Sequence, residues 1–152
     1  NRYVFDNGLY DPANEPDIAY PYLFSRFRGE EWRTQKTVTE LLNKFYTDRP
    51  DGIPGNDDCG TMSAWAIMSM MGFYPDCPGE PYYTLTTPVF DKVTLHLDRR
   101  YYPDGDIEIS TDRTSPSQQY VKHVVLGGKR IDRHRISHKE LVSGRKLVMQ
   151  LK

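Results

Sequence analysis

Asn56, Asp57 and Asp58 stand together between a Pro/Gly-rich turn and an apolar run that carries Trp65 and four methionines. The run is apolar on every face of a helical projection, and such a helix is a buried one. Carboxylates at its first turn would point into the interior or into a cleft. Buried charge is costly unless it is paired, hydrogen-bonded or metal-bound. Amide groups at a helix N-terminus and the helix dipole favour the ionised carboxylate. The chemistry on offer is therefore that of a base, a nucleophile or a metal ligand rather than an acid. The competing reading is an ordinary helix N-cap, a position that Asp and Asn fill routinely.

Asn14 and Glu15, just before Pro16, form a second polar pair. Amide and carboxylate oxygens suit calcium, which takes six to eight such ligands. Otherwise Glu15 caps a helix or pairs with an arginine. Thr34 and Gln35 read as a helix start, with Thr34 as N-cap favoured over a part in a site. Trp65 is expected to pack in the core rather than stack on a ligand. His134 and His138 stand four apart in a turn-rich tail, where a surface loop is expected rather than a metal pair. His96 and His123 fall on strand-like stretches and are expected to face solvent. Cys59 and Cys77 flank the apolar helix and fit no zinc spacing; they could pair in an oxidising compartment or stay as two small thiols, and free thiols are the favoured reading.

The elements that must position these groups divide the chain. Residues 14–27 read as helical, with Pro16 suited to a first turn and Pro21 starting or kinking a helix. Val38, Leu41, Leu42 and Phe45 follow helical spacing, which predicts an amphipathic helix over 34–46. A third helix is expected over about 58–71, closed by Gly72. Beyond Pro75 the character changes to strands, expected at 82–86, 92–97, 107–110, 120–126 and 146–151. Asp104-Gly105 and Gly127-Gly128 are turn dipeptides. Helices followed by strands give an α+β class, divided into a helical segment 1–75 and a β-rich segment 76–152.

The 152 residues suit one domain or part of a larger one. A net charge of -1 with no basic run or stripe gives no hint of nucleic acid, and no nucleic-acid partner is expected. No apolar run reaches membrane-spanning length, and no signal peptide opens the chain. The first residue is Asn rather than Met, which reads as a processed or excised chain. Eleven tyrosines and two tryptophans are a rich aromatic complement, compatible with sugar stacking and equally with a core.

The strings ANEPDIAYPYLFSRF, EEWRTQKTV, DGIPGNDDCGTMSAW and MGFYPDCPGEPYYTLTTPVFDKVTLHL resemble, in that order, the C-terminal part of glycoside hydrolase family 92. The tail YVKHVVLGGKRIDRHRISHKELVSGRKLVMQL resembles the closing β segment of that family. The resemblance implies a calcium-dependent, inverting exo-α-mannosidase acting on mannose-containing glycans. It also implies an N-terminal β-sandwich, an (α/α)6 catalytic barrel and a secreted, periplasmic or cell-surface location. This chain would supply the last barrel helices and the terminal β element. The rest of the parent enzyme would be its partner and carry the general acid.

On that resemblance Asp58 holds the general-base position, and Asp57 and Asn56 complete the motif. Asn cannot be the base, but it can orient water or a sugar hydroxyl. Asn14 and Glu15 would contact sugar or calcium. Relatives often carry a histidine shortly after the NEP motif; here Asp17-Ile18-Ala19-Tyr20 follows, which puts the leaving-group subsite in doubt. The alternative function is a non-catalytic carbohydrate-binding or interaction module, with the strands binding and the helices as scaffold.

Overall fold

The computed structural model describes residues 10–152. Two short 3-10 helices, Glu15–Asp17 and Tyr20–Arg26, open it, each with proline in its first turn. Proline fits there because its missing N–H would go unpaired anyway. Helix α1 (Glu31–Phe45) and helix α2 (Thr61–Met71) follow. Gly72 ends α2 at φ +95, its amide returning to Met68 and Ser69. That left-handed cap is what glycine supplies at low cost.

Eight strands come next: β1 (Phe73–Tyr74), β2 (Tyr82–Leu85), β3 (Lys92–Leu95), β4 (Ile107–Thr111), β5 (Val121–Leu126), β6 (Lys129–Ile131), β7 (Arg135–Ser137) and β8 (Lys146–Leu151). Helix α3 (His138–Gly144) lies between the last two. One antiparallel sheet has the order β1-β2-β7, and a mixed sheet has the order β3-β4-β8-β5-β6. The last strand is thus central, parallel to β4 and antiparallel to β5. Gly127-Gly128 closes the β5–β6 hairpin as a two-residue loop with both φ positive, the turn whose twist matches its strands. The architecture is α+β.

Among the described residues there are two buried clusters. Phe73, Leu85 and Ile136 of the small sheet meet Ile107, Ile109, Leu147 and Met149 of the large one, with Leu141 of α3. Tyr22, Val38, Leu41, Leu42, Trp65 and Ala66 form the other among the helices. Specific polar links join the two regions. Gln35 Oε1 accepts the Val121 amide at 2.9 Å, tying α1 to the start of β5. Arg26 donates to Asp76 at 2.7 Å, and Thr84 Oγ1 donates to the other carboxylate oxygen at 2.7 Å.

Several expectations change here. Helix α1 begins at Glu31, so Thr34 lies in its second turn and is not the N-cap; its hydroxyl instead accepts the Ser25 amide at 3.1 Å. Residues 14–27 form two 3-10 pieces rather than one helix, because Pro21 cannot donate into a continuous turn. Helix α2 is not covered on every side: Met62, Trp65, Ala66 and Ser69 are buried, while Ile67 is 53% exposed. The tail around His138 is not a surface loop. Ser137 and Glu140 form a reciprocal capping box that starts α3. His138 is held between the hydroxyls of Tyr83 and Tyr102, at 2.9 and 3.0 Å. His134 is half-buried, its Nε2 has no partner among the described residues, and burial lowers its pKa. His96 is exposed as expected and lies 3.2 Å from Asp106, whereas His123 is only half-exposed on β5. Both cysteines are free thiols.

Candidate active site

The GNDD loop and the ANEP segment, 42 positions apart in sequence from Ala13 to Gly55, touch. Gly55 sits at φ +67, and a Cβ placed there would lie 2.5 Å from Cβ of Ala13. Glycine is needed twice over, for its backbone angle and for the approach. One residue beyond each contact stand Asn56 and Asn14. Trp65 fixes the same arrangement from below: its indole N–H donates to the Ile18 carbonyl at 2.9 Å. Tyr46 stacks on Trp65 with centroids 5.5 Å apart, and Tyr22 and Tyr74 complete an aromatic floor. The Trp65 expectation of core packing is met.

Asp57 and Asp58 do different things. Asp57 Oδ1 accepts the Ser63 amide at 2.7 Å and Oδ2 accepts the Ser63 hydroxyl at 2.6 Å. These bonds hold its carboxyl below the ordinary range. Asp57 also helps raise Tyr46, which burial first and Tyr74 next push up to about 12. The helix-end argument for an ionised carboxylate therefore applies to Asp57. Asp58 contributes its main chain: its carbonyl accepts the Thr61 amide and hydroxyl, at 3.2 and 2.8 Å. The Asp58 carboxylate is exposed and has no hydrogen-bond partner among the described residues. The backbone through Asp58, Cys59 and Gly60 is left-handed at all three residues, with φ of 42, 59 and 89. Non-glycine residues held there cost energy, and such strain gathers at functional sites.

Asn14 precedes the first 3-10 helix, and its Nδ2 donates to Asp17 Oδ2 at 3.3 Å. That leaves the Asn14 amide oxygen unpartnered among the described residues. Asp11 Oδ1 accepts the Ala13 amide at 2.9 Å, which fixes the turn against Gly55. Glu15 is exposed and pairs with no arginine among the described residues. For calcium, Asn14 and Glu15 are hard oxygen donors of the right kind, but the described residues hold no cluster of three or more His, Cys, Asp or Glu side chains able to hold a metal. The pair fits part of a calcium shell and not a whole one. Ser63, Asp11 and Tyr46 were missed in sequence. Only Ser63 had a signal, a hydroxyl within the first turn of a helix preceded by acids.

A strained backbone bearing an exposed carboxylate, on a loop packed against the turn that precedes Asn14 and Glu15, offers groups for polar chemistry. The chain matches the model of the glycosyl hydrolase family 92 catalytic domain over residues 2–152, and it belongs to that family. An uncharacterized secreted glycosidase of Arthroderma benhamiae is 26% identical over 149 residues, 98% of this chain and 19% of that protein. A family 92 α-mannosidase of Bacteroides thetaiotaomicron, solved in complex with mannoimidazole, is 32% identical with a TM-score of 0.80, over 93% of this chain and 18% of that one. A family 92 inverting mannosidase of the same organism is 33% identical with a TM-score of 0.82, over 99% of this chain and 20% of that one. The chain spans about a fifth of the length of these relatives. Among the described residues no helix is long and apolar enough to cross a membrane.

Proposed function

We propose that this chain is the C-terminal part of the catalytic region of an exo-α-mannosidase that hydrolyses terminal α-mannosides of glycans with inversion, assisted by calcium. The observation that carries the reading is the packing of Gly55 on Ala13, which sets the Asp58 loop beside Asn14 and Glu15. In this reading the helices over 1–75 close an (α/α)6 barrel, and residues 76–152 form the β element behind it. The remainder of the enzyme completes the cleft and supplies the general acid. The secreted relative supports a place outside the cytoplasm.

Inversion needs two carboxyl groups on opposite faces of the sugar, roughly 6.5–9.5 Å apart, with a water between one of them and the anomeric carbon. Asp58 is the base. Its carboxylate has no internal donor to give up before it takes a proton from water. Asn56 orients that water or a sugar hydroxyl. Asn14 and Glu15 hold hydroxyls of the terminal mannose, or form part of the calcium shell. Bound calcium would supply positive charge that fixes sugar hydroxyls. Asp57 is not a second base here, because both its oxygens are engaged by Ser63.

The test is Asp58→Asn in the full-length enzyme, assayed on an aryl α-mannoside. Loss of a general base typically lowers kcat about 10²–10⁴-fold. Glu15→Gln is measured alongside, as the calcium concentration giving half-maximal rate after chelation, and that concentration is expected to rise. Near-normal turnover by Asp58→Asn overturns the assignment of the base; an unchanged calcium requirement in Glu15→Gln removes Glu15 from the metal shell.

A further inference from the structure

Ser63 has no part in the chemistry just described, yet it makes two short hydrogen bonds to the carboxylate that precedes the candidate base. Two neighbouring carboxylates, Asp57 and Asp58, precede one helix end. A helix end offers few free amides, and the carboxylate that accepts them becomes the weaker base. The two acids therefore compete, and only one can be capped while the other remains free for proton transfer. Ser63 decides between them. It offers an amide and a hydroxyl together, one to each oxygen of Asp57. The Met62 amide adds a bond to the Asp57 carbonyl at 3.3 Å. The two Ser63 bonds are the leading causes that lower the pKa of Asp57.

The same bonds brace the strained turn. The left-handed run at 58–60 lies between Asp57 and Thr61, with glycine only at its last position. Each non-glycine residue in that conformation costs roughly 1–2 kcal/mol, so a loop without a clip would relax. The Asp57–Ser63 pair spans the run from one side to the other, as does the Thr61 hydroxyl bond to Asp58. Relaxation would let the Asp58 carboxylate fold back onto the free amides.

We propose that Ser63 is a positioning residue: by engaging both oxygens of Asp57 it holds the left-handed turn and keeps the Asp58 carboxylate free of the helix end. This rests on Asp58 being the base. In Ser63→Ala the amide remains and the hydroxyl is gone, so Asp58 competes for the helix end. In Ser63→Thr the hydroxyl is kept.

The experiment uses the full-length enzyme and an aryl α-mannoside with an activated leaving group. Ser63→Ala is expected to lower kcat about 10–100-fold, the scale of a misplaced reacting group, with KM altered less than kcat. The acid limb of the kcat profile should move to lower pH, as a capped Asp58 would ionise more easily. Ser63→Thr should recover most of the rate. In an Asp58→Asn background, Ser63→Ala should cost no further rate, since the group it positions is gone. Melting temperature is followed for every variant. Full kcat in Ser63→Ala, an unmoved acid limb, or a rate loss that adds undiminished to that of Asp58→Asn overturns the proposal. A near-normal rate in Asp58→Asn alone overturns the base assignment instead, so the two failures are distinct.

Discussion

Replacing Gly55 by alanine tests the contact on which the site reading depends. Two costs can be worked from the structure. At φ +67 an L-residue is in the left-handed region, at a cost of roughly 1–2 kcal/mol. The new Cβ would lie 2.5 Å from that of Ala13, well inside carbon–carbon contact, so the loop and the Ala13 turn must separate. Overpacking of this kind costs about 1–3 kcal/mol. The stiffer unfolded chain returns about 0.4–1 kcal/mol. The net expectation is a loss of about 1–5 kcal/mol, read as a lower urea midpoint at unchanged slope. Trp65 fluorescence reports the transition, because the indole sits in the helical core. In the full-length enzyme a displacement of about 1 Å between the two motifs should lower the rate on the order of 10²-fold. Ala13→Gly in the Gly55→Ala background removes the collision and leaves the backbone cost, so it should restore a good part of both. A Gly55→Ala variant within about 0.5 kcal/mol of the parent, the ordinary range of a surface change, would refute the reasoning. So would a double variant no better than the single one.

Asp76→Ala should destabilise the chain by about 2–3 kcal/mol, below the usual range for breaking a buried ion pair because Arg26 can rehydrate. The Asp76 side chain is 1% exposed and serves both Arg26 and Thr84, so a urea midpoint unchanged from the parent would show that the tether is idle. His134 gives a pH-dependent term. Burial lowers its pKa in the fold, so the unfolded chain takes up the proton first. Its contribution is fully present above the ordinary value of 6.5 and is lost as pH falls below that through the folded value. Urea midpoints measured from neutral pH down to about pH 5 should therefore fall less steeply in His134→Gln than in the parent; parallel slopes would remove the histidine as the cause.

The legible parts of the fold were those written in periodicity or in glycine. The strand over 146–151 was bounded as found, and α2 was placed with its Gly72 stop, because alternation and a left-handed C-cap leave plain marks. Two-residue β1 and three-residue β6 and β7 carry too few residues to show a period. Helix α3 was legible and went unread: Ser137 followed three residues later by Glu140 is a capping box. Thr34 and Gln35 were misplaced for a different reason. Their hydroxyl and amide serve partners outside their own helix, at Ser25 and Val121, and no local pattern announces a bond across 86 residues.

The site divides in the same way between local and non-local causes. That a carboxylate at the start of α2 would be ionised and bound follows from helix ends alone, and it holds for Asp57. Which of two neighbouring acids takes that position depends on three successive left-handed residues, and a sequence with glycine only at the third does not disclose them. The cap and the site are therefore not rival readings of one residue. Asp57 satisfies the helix, and by doing so it releases Asp58 from that duty. A single acid before α2 would have to serve as either an anchor or a base. Two adjacent acids, one clipped by Ser63 and one left free, allow a rigid helix end and an unengaged carboxylate to lie side by side. Gly55 then carries the loop that holds this arrangement against Ala13, one residue before Asn14.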